Sequence, residues 1–352
     1  MTAESHADFH GVLEYSRKRF LYLEGEAYQR GYAEGRLRPS GVYRMTREFP
    51  QNTVFDFLAG VGTEVDLRAN PFLWNLIWAL LQTLVAANRD TIPLEFMEEM
   101  RGMCDACREL GYDVSMKDLL TLNAGFEVLQ SVMVGFEAVF CNQFAVFGGG
   151  HAGWCGLPRA RFHVPHRRGV FSDEAMFMVP RPTQGNPFIA SAAPGMVGIP
   201  TGLNVQGVNC AVDVARSMLT RPLVTGEGRL LLCREVVKYA GYLQEGIGMI
   251  KQADRAVPRL YLLADGKAPD AALLEAAAGS LLPPEKNLNY YLSRPFEGLL
   301  GIFFPSPALD RGDPARIELV EAEQPGVPGI PHRPGGMDEL AADPRCPELD
   351  MG

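Results

Sequence analysis

The segment Phe140-Cys141-Asn142-Gln143-Phe144-Ala145-Val146-Phe147 runs directly into Gly148-Gly149-Gly150. One thiol therefore stands at the head of an alternating, β-prone run. A cut between Phe140 and Cys141 would free an α-amine on the residue that carries the thiol. Such a residue holds nucleophile and base together, so it can open an amide or thioester without a distant histidine. A terminal amine titrates at about 7.7–8.0, which leaves a useful neutral share near pH 7. The plain alternative is a cysteine packed in the core at a strand start.

The other reactive side chains form no competing set. The seven cysteines are Cys104, Cys107, Cys141, Cys155, Cys210, Cys233 and Cys346. An odd number scattered through a long chain does not describe a disulfide framework. Cys104 and Cys107 have C-x-x-C spacing, but they lie in Leu94 to Leu110, a stretch of helical periodicity, with no second pair nearby. His163 and His166 are close in sequence with no further ligands beside them. No metal is expected. Gly148 to Gly153 is glycine-rich after a strand, yet neither a helix nor a ribose-binding acid follows, so no nucleotide cofactor is expected either.

Composition bounds the partners. The 352 residues are 47% hydrophobic and 21% charged, as in a soluble globular protein. Net charge is −9 with no basic block, which disfavours nucleic acid and anionic membrane surfaces. The best apolar run, Phe72 to Ala87, is broken by Asn75 and Gln82, and Met1 to His6 lacks a secretory pattern. A cytoplasmic location is the expectation; oligomeric state is open.

These residues must be positioned by an α+β chain. A short strand is expected at Phe20 to Leu23, then a helix over Glu26 to Arg38 whose Gly31 and Gly35 share one face and invite close approach of another backbone. Helices follow at Pro71 to Asn88, Leu94 to Leu110 and Ser115 to Val132, the last opened by the cap pair Ser115 and Asp118. From Cys141 the pattern turns to strands: Cys141 to Phe147, Arg161 to Val164, Ala175 to Val179, Phe188 to Ala192 and Val208 to Val214. A helix over Gly228 to Lys251, a strand over Arg259 to Ala264, the turn at Asp265 to Lys267 and an apolar segment over Ala271 to Ala277 complete the expected elements. The divisions are a helical segment 1–140, a catalytic region 141–323 and a Pro/Gly-rich acidic tail 324–352.

Several ordered segments resemble the isopenicillin-N acyltransferase-like family of N-terminal-nucleophile (Ntn) cysteine hydrolases, which is related to the choloylglycine hydrolases. They are Glu24 to Leu37 with Gly31 and Gly35; Glu98 to Gly102 with Leu119 to Leu129; Cys141 to Gly148; Asn186 to Val208; Leu230 to Val237; and Leu262 to Gly266 with Glu275. The resemblance implies an αββα sandwich of two antiparallel sheets between helical layers. It implies self-cleavage before Cys141 into pieces of ~15 and ~23 kDa that stay together, so the N-terminal segment becomes a partner of the catalytic one. It also implies a small-molecule acyl amide or thioester as substrate.

Carried over residue by residue, the resemblance assigns Cys141 as nucleophile and α-amine base, and Arg159, with Arg161 as competitor, as the arginine beside the thiol. Ala160 stands where the pattern has Asn, and the following acid is absent, with Phe162 or His163 nearest. Asp213 stands where an Asn would donate to the oxyanion, a donor worth on the order of 3–4 kcal/mol. Asp213 is then protonated, paired with Arg216, or bound to a cationic amine of the substrate; alternatively Asn204 or Asn209 donates. Asn204 before a glycine turn is also the residue that closes such a turn. Arg161, His163 and Arg216 are candidate substrate-binding residues. Loss of two polar partners suits a specialised biosynthetic acyl transfer or cyclisation. The rival readings are a degenerate, non-catalytic binding or scaffold protein and a lipid-directed hydrolase of related fold; a Cys-His protease lacks its histidine motif.

Overall fold

The computed structural model describes residues 10–15, 18–60, 70–87, 89–132, 140–148, 161–163, 169–214, 228–255, 259–267, 270–276, 288–292 and 297–302. Side chains at 15, 56–60, 126–132, 140–148, 161–163, 214, 229, 270, 275, 288–292 and 297–302 lie outside that description. The chain runs β1 (Gly11–Tyr15), β2 (Lys18–Gly25), α1 (Ala27–Leu37), α2 (Pro39–Gly60), α3 (Pro71–Ala87), a 3-10 turn (Arg89–Thr91), α4 (Leu94–Glu109) and α5 (Met116–Val132). It continues with β3 (Phe140–Gly148), β4 (Arg161–His163), α6 (Val170–Glu174), β5 (Met176–Pro182), β6 (Phe188–Ala192), β7 (Thr201–Asn204) and β8 (Val208–Val214). Last come α7 (Arg229–Tyr239), α8 (Leu243–Gln252), β9 (Arg259–Asp265), β10 (Asp270–Ala276), β11 (Leu288–Leu292) and β12 (Glu297–Ile302).

The protein is a mixed α+β chain. A nine-stranded sheet has the order β1-β2-β5-β6-β7-β8-β9-β10-β11, and a three-stranded sheet the order β12-β3-β4. Among the described strands only β2 and β5 pair in parallel. Residues before 140 thus supply two strands to the sheet that residues after 175 complete, and the segment 1–140 is less purely helical than its periodicity suggests.

Alternation along β8 to β10 separates two buried faces. Val208, Cys210, Val212, Tyr261, Leu263, Ala272 and Leu274 pack into one core with Leu232, Val236 and Val237 of α7 and Leu243, Ile247 and Ile250 of α8. The intervening positions Asn209, Ala211, Asp213, Leu260, Leu262, Ala271 and Leu273 are buried as well. Strand β9 accordingly reads as a continuous apolar run, the signature of a strand covered on both sides. Strand β3 comes into contact with β8 and β9.

The backbone that approaches the glycines of α1 is α4. A Cβ at Gly31 would lie 1.8 Å from the Glu99 carbonyl oxygen, and one at Gly102 would lie 2.2 Å from that of Tyr28. Either would drive the helices apart. Ser115 and Asp118 cap α5 as expected: Ser115 N donates to Asp118 Oδ2 at 2.9 Å, and Asp118 N to Ser115 Oγ at 3.3 Å. Helix α2 departs from expectation. Gly41 and Pro50 depress its propensity, but Val42, Met45 and Val54 are buried, and packing outweighs the local penalty. The expected helix over Gly228 to Lys251 is two helices. Chain direction changes at Gly241-Tyr242, where Gly241 N donates to Glu245 and Leu243 N to Asp265 Oδ2. None of the described helices is long and apolar enough to cross a membrane.

Candidate functional site

Cys141 lies near the start of β3, the middle strand of the smaller sheet. Its register partner on β4 is Phe162, while Arg161 pairs with Asn142 and His163 with Phe140. Two of the expected site residues, Arg161 and His163, therefore occupy the strand beside Cys141, at positions that alternate with its direct partner. On the other side β12 pairs with β3 from Gln143 to Gly148, leaving the Cys141 end of the strand beyond that pairing. The side chains of Phe140, Cys141, Arg161 and His163, and the whole of Arg159, Ala160, Arg216 and the tail 324–352, lie outside the described residues.

The large sheet brings two expected polar residues to β8, on the face turned away from α7 and α8. Asp213 is 1% exposed, and its row continues across the sheet through Leu260 and Glu275 to Asn289. Asn209, four residues earlier, is buried, and its Nδ2 donates to the Gly202 carbonyl at 2.8 Å. Its Oδ1 is buried with no hydrogen-bond partner among the described residues. Around them the same face carries Ala211, Leu260, Leu262, Ala271 and Leu273, with Thr201, Glu275 and Asn289 as further polar positions. A carboxylate and an amide in such surroundings stand where apolar residues would pack at less cost.

Asn204 occupies a different position. Its Nδ2 donates to the carbonyls of Val237 at 2.8 Å and Ala240 at 2.7 Å, and its Oδ1 accepts from Gln206 N and Val208 N, both at 2.9 Å. Gly207, at φ 82°, completes the turn, and its N donates to Asn204 O. Every polar atom of this amide is committed to backbone. It ties the β7–β8 turn to the end of α7, and no hydrogen remains for an oxyanion.

A second group of buried polar residues was not read from the sequence as a unit. Glu99 of α4 accepts from Arg30 of α1 at 2.9 Å and from Arg234 of α7 at 2.8 Å, all three buried. Arg234 also donates to the Val197 carbonyl at 2.6 Å. Glu34 of α1 accepts from Gly195 N at 2.8 Å, and Asn123 of α5 donates to Gly195 O and accepts from Val197 N. Three helices thus grip the loop 193–200 through its own backbone. Burial pushes the Glu34 carboxyl up to about 8, against the pull of the Gly195 N–H. Burial acts on Glu99 in the same direction, but the Arg234 and Arg30 guanidiniums outweigh it and hold that carboxyl below its ordinary range. The sequence signal was present, since Glu34, Glu99, Asn123, Gly195 and Arg234 all fall in the segments that carry the family resemblance.

The remaining described cysteines are poor nucleophiles. Cys104, Cys107, Cys210 and Cys233 are buried free thiols. Burial pushes Cys104 and Cys107 up to about 12 and Cys233 well above its ordinary value. A thiol so shifted is inert near neutral pH. Among the described residues no three His, Cys, Asp or Glu side chains converge as a metal site would require.

No family model matches the chain. An uncharacterised protein of Archaeoglobus fulgidus is 33% identical over 274 residues, covering 74% of this chain and 44% of that protein. The chain thus spans less than half the length of this relative. Among solved structures, a variant of the conjugated bile acid hydrolase from Clostridium perfringens overlaps 48% of this chain and 46% of its own, at 10% identity and a TM-score of 0.22. That overlap is below the level at which two folds correspond.

Proposed function

We propose that the chain is a self-processing cysteine amidohydrolase or acyltransferase of the N-terminal-nucleophile type, acting on an acyl amide or thioester of a small molecule. The observation that carries this reading is the place of Cys141 near the start of β3, a strand that meets β8 and β9, whose face away from the helices bears Asp213 and Asn209. Because β8 and β9 are interior strands with α7 and α8 on one face, a strand touching both belongs over the other. The two sheets then form the inner layers of an αββα sandwich, and the apolar far face is its middle.

In this mechanism Cys141 Sγ attacks the acyl carbonyl while the freed α-amine takes the thiol proton. The tetrahedral intermediate collapses, the proton passes to the departing amine or thiol, and an acyl-thioester remains. Water or a second amine then attacks that thioester and restores the thiol. Arg159 favours the thiolate. Asn204 is a brace in this scheme, which leaves the oxyanion role to Asn209 or to Asp213, the latter acting as a protonated donor or as the anchor of a cationic amine. Ala160 and Asp213 together favour acyl transfer or cyclisation over ordinary hydrolysis.

Intact mass under denaturing conditions, for wild type and Cys141→Ala, tests the proposal. Two wild-type pieces meeting at Phe140/Cys141, with the variant uncut, are expected. An uncut wild-type chain leaves the α-amine blocked and overturns the mechanism. The second reading, a non-catalytic binding protein, is favoured by the same Ala160 and Asp213; an uncut chain whose Cys141 also resists thiol reagents would support it.

A further inference from the structure

Three asparagines are buried among the described residues, Asn123, Asn204 and Asn209. In two of them the amide oxygen is fully used. Asn123 Oδ1 accepts from Val197 N at 2.8 Å and Gly198 N at 3.3 Å, and Asn204 Oδ1 from Gln206 N and Val208 N. Asn209 is 5% exposed, and its Oδ1 accepts from no group among the described residues. Which end of this amide is oxygen is fixed by Gly202, whose carbonyl has no proton to give and must face Nδ2. That bond uses one of the two Nδ2 hydrogens. Asn209 therefore presents one donor and one acceptor beyond its bond to the sheet.

Unused buried atoms also occur on Arg30, Glu99 and Arg234, but each of those groups is held through its charge by a partner. Asn209 is neutral, and no ion pair offsets its unused oxygen. Its neighbours do not reach it either. Beside it in register are Leu203 on β7 and Ala264 on β9, then Ala271 on β10, while Ala211 is the next residue of its face along β8. Thr201, on the same face of β7, is not among its partners. Alanine ends at Cβ, so whatever lies over the amide comes from the layer beyond the sheet. That is the layer in which the proposed function puts β3 and the substrate.

Leucine at 209 would have a similar branched shape and leave no polar atom unmatched. A neutral donor and acceptor on one side chain match a group that is itself a neutral donor and acceptor, a secondary amide. A thioester or a tertiary amide has no N–H to give the oxygen, and an ammonium accepts nothing from the nitrogen.

We infer that Asn209 is a specificity-determining residue of the proposed site: its Oδ1 accepts from an amide N–H of the substrate and selects secondary amides over thioesters and tertiary amides. The inference rests on the proposed chemistry and narrows its substrates.

Acyl 4-nitroanilides with short, long and aryl acyl groups test it, each paired with its N-methyl counterpart and normalised to its alkaline hydrolysis. Wild type is expected to favour the N–H member at least about 100-fold in kcat/KM, and Asn209→Leu to bring that ratio below about 3-fold. Because the oxygen it replaces is unmatched without substrate, Asn209→Leu is expected to keep at least the wild-type melting temperature. Asn209→Val, smaller and suited to a strand, repeats both measurements. A melting temperature lowered in both variants makes Asn209 a structural residue and overturns the inference. A wild-type chain that cuts itself before Cys141 but opens both amides alike, or neither, overturns the inference and leaves the self-processing reading standing. An uncut chain that opens neither removes that reading, and the inference with it.

Discussion

The buried charges between α1, α4 and α7 and the polar residues on the far face of β8 are equally hidden from water, but they are held in different surroundings. In the first region Glu99 sits between two guanidiniums, and the groups around it grip the backbone of loop 193–200. In the second, Asp213 and Asn209 lie among leucine and alanine, with Glu275 and Asn289 in the Asp213 row, on a strand whose other face packs Val208, Cys210 and Val212 into the core. Burial of a polar group is therefore not by itself the mark of a site. A charge enclosed by countercharges holds a fold together. A carboxylate in a mostly apolar layer depends on the few polar groups that reach it.

The two regions should break differently. Glu99→Ala leaves Arg30 and Arg234 buried without their countercharge and is expected to cost about 3–5 kcal/mol of stability in a urea titration; a loss below about 1 kcal/mol would show that the cluster is not what ties α1, α4 and α7 together. Asp213→Asn should do the reverse: little change in the unfolding midpoint, but hydrolysis of a simple acyl amide raised about 100-fold, because a neutral donor replaces a group that repels an oxyanion when ionised. An unchanged rate would remove Asp213 from the chemistry. Asn204→Ala, which strips four hydrogen bonds from the β7–β8 turn, is expected to cost about 2–3 kcal/mol of stability while the activity per folded molecule stays level. A selective fall in turnover would return Asn204 to the site.

The remaining test is the slope of stability with pH. Glu34 is raised from 4.5 to about 8 in the folded protein, in a position faced by Glu99, Arg234, Arg38 and the Gly195 N–H. Between those values the folded chain keeps a proton that the unfolded chain has lost, so this group's contribution is full below the unfolded value and fades as pH rises towards 8. Chemical denaturation from pH 5 to 8 should show that slope in wild type and a flatter one in Glu34→Gln. Identical slopes would mean that Glu34 does not carry the proton.

Much of the helical frame was legible because its signals are local. The Ser115–Asp118 cap, the apolar period of α4 and the paired glycines of α1 each declare themselves within a few residues. β8 was legible as a strand, but which of its faces would meet helices was not, since Val212 and Asp213 differ only by one step of the pleat. The break between α7 and α8 is only partly local: Glu245 accepts from Gly241 N, but Leu243 N is met by Asp265, 22 residues on. Asn204 shows the limit for the site. Its turn was readable from the glycine three residues on, whereas its donors' use by Val237 and Ala240 depends on where α7 ends.

What the sequence determined unaided, then, is most of the helices and the central strands, and the singular setting of Cys141 at a strand head. Each depends on neighbours a few residues apart, where propensity, alternation and spacing act directly. Only the tertiary structure decided that Glu99 is enclosed by guanidiniums while Glu34 is not, that Asn204 is a brace, and that Asp213 lies on the face away from the helices. Those outcomes depend on partners tens to hundreds of residues away, and it is their distance, charge and desolvation that set what a buried polar side chain does.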